Sequence, residues 1–275
     1  MNDKKIGFIG GGNMTFAIAG GMLGAGYAAT NIAISEPSSE QRERLTESLP
    51  DVSINSDNTA TAKHVDCIVL ATKPQVLAGV CRDLAGVIQN SKPLILSIAA
   101  GVRSSDIEDW LGGNLAVIRV MPNQPAFLGL GVSALFANDN CSNADRELAA
   151  TVMQAVGKVV QVSAETDIDA VTAISGSGPA YFYLLIDMMV QTATAMGLDD
   201  ATARTLAVET AVGAAALAAN SDATMGELIA RVRSPGGTTA AALDSLEDQN
   251  VRAIFSAALS AAQHRAIQLA DEAGK

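Results

Sequence analysis

Short apolar runs recur through the first part of the chain and then cease, and this break constrains the fold more than any single residue does. Runs at residues 4–9, 31–35, 66–71, 93–98 and 114–120 alternate with helical segments. That alternation is the pattern of a parallel sheet covered on both faces by crossover helices. Two further runs, 131–136 and 158–162, are expected to complete the sheet. After Ser163 the strand signals stop, and the rest reads almost wholly as helices. A chain of 275 residues exceeds the usual domain size of about 100–150 residues, so two domains are expected, 1–163 and 164–275.

In the helical part, Ser177, Gly178 and Pro179 are expected to open a helix, with proline in the first turn and serine or glycine as the cap. A second helix should begin near Asp199. Thr224 and Glu227 have the spacing of a capping box, and the final helix should run from Val251 to about Ala270. Small residues are dense here, as at Val212 to Ala216, so the helices are expected to pack closely against a second copy as an intertwined homodimer. A self-contained bundle is the alternative.

Hydrophobic residues make up 49% of the chain but aromatics only 4%, which suits closely packed helices of small residues. No stretch reaches the roughly 18 apolar residues of a membrane span, so a soluble protein is expected. Cys67, Cys81 and Cys141 are odd in number and lack ligand spacing, and neither His64 nor His264 has a Glu or Cys at ligand spacing. No disulfide framework or metal site is expected, and the cytoplasm is the natural compartment. A net charge of −11 speaks against nucleic acid as a partner.

Gly10, Gly12 and Thr15 occupy the three positions of a G-x-G-x-x-G/A fingerprint after a strand and before a helix. With Gly11, Asn13 and Met14 they form a candidate site for the pyrophosphate of a dinucleotide. Thr15 departs from the small residue usual at the third position. The N-terminal domain is therefore read as Rossmann-type. Ser35 and Glu36 end the second run, where the adenosine ribose is read, and an acid there favours a 2′-hydroxyl over a 2′-phosphate. Alternatively, Ser35, Ser38, Arg42 and Asn58 surround a phosphate if Glu36 turns outwards, so NADPH and NADH both stay open. The segments Ala71-Thr72-Lys73-Pro74 and Met121-Pro122-Asn123 follow strands and should border the nicotinamide and the substrate. Lys73 is a candidate catalytic group there, its plain alternative being a solvated lysine.

Ser234, Pro235, Gly236, Gly237, Thr238 and Thr239 form a hydroxyl-rich turn leading into a helix, with Arg231 and Arg233 just upstream. Unpaired amides and the helix dipole at such a start favour a carboxylate or phosphate. An ordinary threonine cap after a Pro-Gly turn is the alternative.

These segments, together with Gly7 to Met14, Ser97 to Gly101 (including Ala99) and Ser175 to Ala180, stand in an order that strongly resembles the pyrroline-5-carboxylate reductase family. The resemblance spans essentially the whole chain. It implies reduction of 1-pyrroline-5-carboxylate to proline by NADPH or NADH, on a Rossmann domain followed by an all-α dimerisation domain. It implies that Ser177, Gly178, Ser234, Gly236, Gly237 and Thr238 bind the substrate, and that Thr239 hydrogen-bonds the ring nitrogen. It also implies active sites built from two subunits, and dimers that can assemble into larger rings. Gln124 departs from the family, many of whose members carry threonine there.

The residues add an argument of their own. Between positions 159 and 274 there is no lysine and only one histidine, His264, so the helical part lacks the lysine proton donor of similarly laid out hydroxyacid dehydrogenases. A cyclic imine is protonated before hydride arrives and needs positioning more than a donor. A reductase of another small imine or oxo acid, and a non-catalytic NAD(P)H sensor, are the competing readings.

Overall fold

A computed structural model describes residues 3–273. They fall into two compact units, one of residues up to Ser177 joined by those from Ala262 on, the other of Gly178–Ala261.

The first unit is built on one eight-stranded sheet in the order β3-β2-β1-β4-β5-β6-β7-β8. Its strands are β1 (Ile6–Ile9), β2 (Ile32–Ser35), β3 (Ser53–Asn55), β4 (Cys67–Leu70), β5 (Leu94–Ser97), β6 (Val117–Met121), β7 (Gly131–Ala137) and β8 (Gly157–Gln161). Neighbours pair in parallel except β6 with β7, which run antiparallel. Between them lie α1 (Asn13–Gly24), α2 (Ser39–Ser48), α3 (Asn58–Ala62), α4 (Pro74–Ser91), α5 (Ser104–Trp110) and α6 (Asn143–Gln154).

Side chains alternate across a pleated strand, so each central strand supplies two cores. Ile6 and Phe8 of β1, with Cys67 and Val69 of β4, pack with Ile18 and Met22 of α1 and Val152 of α6 on one face. Ile9, Ile68, Leu70 and Ile95 pack with Leu77, Leu84 and Ile88 of α4 on the other. The order reverses at β1 and β4, and the carboxyl ends of strands at such a reversal form the ligand crevice of doubly wound sheets. β3 has no counterpart among the apolar runs of the sequence.

Helix persists after β8: α7 (Asp167–Val171) continues into a π-helical turn over Thr172–Gly176 and then into α8 (Gly178–Ala195). Here the structure corrects an expectation. Ser177 has helical dihedrals (φ −82°, ψ −18°) and donates its N–H to the carbonyl of Thr172, so it is no cap at a fresh start. Pro179 has no N–H to give the carbonyl of Ser175 four residues back, and a wider turn upstream is a common answer to such a gap.

The second unit holds the whole of α8 to α11 and the first part of α12: α9 (Asp200–Ala219), α10 (Met225–Val232), α11 (Thr238–Asp248) and α12 (Val251–Ala273). Asp199 caps α9, accepting the N–H of Thr202. Thr224 and Glu227 close the reciprocal capping box of α10. No helix among the described residues is long and apolar enough to cross a membrane.

Candidate active site

The glycine turn joins β1 to α1. Gly10 has φ +105°, a conformation that a side chain rarely adopts, and a Cβ there would stand 2.8 Å from the carbonyl oxygen of Ala71. Thr15, fully buried, donates its hydroxyl to the carbonyl of Gly10 at 2.7 Å and so ties the turn from beneath. Its departure from the fingerprint is thereby accommodated. Gly12 precedes α1 with no side-chain cap, and the space a side chain would take there is open. The first amides of α1 are therefore free to meet an anion, with Asn13 exposed and Met14 half-buried beside them.

Facing the turn, Glu36 accepts an N–H from Gly11 at 2.8 Å and another from Ser38 at 2.9 Å. Ser35 is buried and donates its hydroxyl to Asn58. After β4 lie Ala71, Thr72, Lys73 and Pro74, the last opening α4. The Thr72 hydroxyl is buried without a hydrogen-bond partner, and Lys73 is exposed. A buried hydroxyl without a partner costs stability unless something bound satisfies it. With the uncapped start of α1, it leaves polar groups without partners at the carboxyl ends of β1 and β4, where a doubly wound sheet takes its ligand. Ala99, buried beyond β5, donates its N–H to the Ser97 hydroxyl at 3.4 Å.

Met121 ends β6 and Pro122 is buried behind it. Asn123 is a brace: its amide donates to the Ser175 carbonyl at 3.1 Å, and its oxygen accepts the N–H of Val132 at 2.9 Å. The carbonyl that Pro179 leaves free is thus satisfied from the end of β6. A second brace escaped the sequence reading. Glu165 accepts the N–H and hydroxyl of Ser104 at 2.6 and 2.8 Å and the guanidinium of buried Arg119 at 2.9 Å. An arginine inside an otherwise apolar strand was the only signal available.

In the second unit, α10 ends at Val232 and the chain turns through Ser234 to Gly237. The N–H of Gly237 returns to the carbonyl of Ser234 at 3.0 Å, with Pro235 second in the turn and Gly236 third at φ +67°, the residue pattern of a type II turn. Gly237 precedes α11 and supplies no side-chain cap. The first amides of α11 therefore point out unpaired, flanked by the exposed Ser234 and Thr238 and the half-buried Thr239. Arg233, instead of standing free, bonds Asp244 of α11 at 2.6 Å. Among the described residues, no group of three or more His, Cys, Asp or Glu is placed to hold a metal ion.

A doubly wound sheet with an open glycine turn at its strand reversal, joined to a helical unit with an uncapped helix start of its own, defines a dinucleotide-dependent oxidoreductase. Two family models match. One, described as pyrroline-5-carboxylate reductase dimerisation, covers residues 165–269, and the other, described as NADP oxidoreductase coenzyme F420-dependent, covers 5–101. The chain is 40% identical over 275 residues to the pyrroline-5-carboxylate reductase of Pseudomonas aeruginosa, covering 100% of both. The solved structure of the Coxiella burnetii enzyme superposes with a TM-score of 0.92 at 38% identity, over 97% of this chain and 98% of that one. That of the Plasmodium falciparum enzyme with NADP bound gives 0.87 at 29% identity, over 98% and 99%. The chain belongs to the pyrroline-5-carboxylate reductase family.

Proposed function

We propose that this chain is an oxidoreductase that reduces the C=N bond of 1-pyrroline-5-carboxylate to L-proline with NADPH or NADH, the last step of proline biosynthesis. End-to-end similarity to reductases of that name supports the reading. The observation that carries it is the open start of α11, where free amides and two threonine hydroxyls follow a side-chain-poor turn.

Residues 1–163 hold the nucleotide, and 164–275 hold the substrate and the dimer contact, although the residues from Ala262 on pack with the first unit. Gly10, Gly11, Gly12, Asn13 and Met14 receive the pyrophosphate. Ser35, Glu36 and Asn58 meet the adenosine side, while Ala71, Thr72, Lys73, Pro74, Ala99, Met121, Pro122 and Asn123 border the nicotinamide. Reduced nicotinamide supplies the hydride. Ser234, Gly236, Gly237 and Thr238 hold the substrate carboxylate at the helix start, with Ser177 and Gly178 also serving the substrate. Thr239 hydrogen-bonds the ring nitrogen and so fixes which face of the imine is presented. Because the nitrogen already carries a proton from solvent, the electrophile brings its own positive charge, and orientation accounts for most of the rate. Lys73 is the second catalytic candidate, an exposed ammonium at the end of β4.

The working form is a homodimer, with a ring of dimers as its larger assembly. Its acidic surface suits no nucleic acid, and the cytoplasm is its compartment. The test is loss of nucleotide absorbance when pyrroline-5-carboxylate is added to purified protein with NADPH or NADH. Oxidation with formation of proline is the expected result. No oxidation above the substrate-free rate with either nucleotide overturns the proposal.

A further inference from the structure

The turn after β2 carries a fixed negative charge where many nucleotide sites must choose between two coenzymes. Both oxygens of Glu36 are held by backbone: Oε2 by the N–H of Gly11 at 2.8 Å and Oε1 by the N–H of Ser38 at 2.9 Å. Gly11 is the middle residue of the glycine turn, so the carboxylate is fastened to the nucleotide loop itself. Gln41 reinforces the link by donating to the Gly11 carbonyl at 2.8 Å.

The groups that would otherwise build a phosphate pocket are engaged elsewhere. Ser35 donates to Asn58. Ser38 caps α2, accepting the N–H of Gln41 at 3.4 Å. Arg42 turns Nη1 onto the carbonyls of Glu36 and Pro37 at 2.8 and 2.7 Å. A second acid, Glu40, lies in the first turn of α2, so the helix start that would attract a phosphate already has two carboxylates.

We propose that Glu36 makes this enzyme selective for NADH, although a relative of known structure binds NADP. The inference rests on the nucleotide-dependent reading above and names the coenzyme of that same site. Each carboxylate oxygen keeps a lone pair for a ribose 2′-hydroxyl, which can donate. A 2′-phosphate cannot donate when ionised and would place about −1.5 to −2 charges beside a carboxylate that has no freedom to withdraw. Because the adenosine end takes no part in the chemistry, the selectivity resides in nucleotide binding and KM, with kcat nearly the same for both coenzymes.

The experiment uses the full-length enzyme. Dissociation constants for NADH and NADPH are measured by nucleotide fluorescence, and kcat/KM for each with pyrroline-5-carboxylate. The expected result is a preference for NADH of at least about tenfold, and a fall in that preference of at least about tenfold in Glu36→Gln, with Arg42→Ala retaining it. Equal use of the two, a preference for NADPH, or an unchanged ratio in Glu36→Gln overturns the role of Glu36 while leaving the reaction standing. Failure of both nucleotides to bind removes the reading of the site and this inference with it.

Discussion

The Thr239 hydroxyl stands half-buried in the first turn of α11, behind an N-cap, Gly237, that supplies no side-chain cap. If it orients the protonated imine, removing it costs the hydrogen bond that positions the ring for hydride transfer. Thr239→Val, which keeps the shape and deletes the hydroxyl, is expected to lower kcat about ten- to a hundredfold with little change in stability. Steady-state kinetics beside a melting curve decides it, and unchanged turnover removes Thr239 from the chemistry. The composition of this turn was legible in the sequence because glycine, proline and threonine each mark a backbone state. The engagement of Arg233 by Asp244 was not legible, since the two lie eleven positions apart and the ion pair depends on how α10 meets α11.

Elements were legible where a periodic pattern was long. The capping box of α10 and the cap of α9 stand as the residue types required. β3 was missed because three residues, two of them polar, carry no periodicity. The π turn was missed because it answers Pro179 locally and Asn123, just past the end of β6, from far away in the sequence. The braces between elements yield two predictions. Arg119 is buried, and replacing it by Met leaves the partly buried Glu165 without its countercharge, held only by Ser104. The variant is expected to lose about 3 kcal/mol, measured by urea unfolding. Tyr27 donates its hydroxyl to the Lys4 carbonyl at 2.6 Å, tying the end of α1 to the start of β1. Burial, with Cys67 and Asp66 adding to it, pushes the Tyr27 hydroxyl up to about 12. The fold thus favours neutral tyrosine, so this stability is complete below the ordinary value near 10 and declines as pH rises towards 12. Tyr27→Phe should be about 1 kcal/mol less stable at neutral pH and should lose less than the parent in alkali.

Across the whole molecule, the second unit leaves a dense apolar surface: on α8 alone Phe182 is 63% exposed, Leu184 59% and Leu185 51%. A monomer rarely exposes so much in one patch, and the match to a dimerisation family agrees. Sedimentation should find a dimer, and Met188→Glu on the same helix should shift it towards monomer by at least about tenfold in dissociation constant. A dimer undisturbed by that charge would place the contact elsewhere. The route of α12 was not legible, because helical periodicity does not say which body a helix packs on. Its last residues return to the first unit, where Leu269 and Ala270 lie against Gly101, Ala273 against the core around α4, and Asp271 pairs with Arg103. A chimera that exchanges nucleotide-binding halves between relatives consequently needs two junctions, and a fusion tag appended after the final helix would hang from the coenzyme-binding half of the molecule.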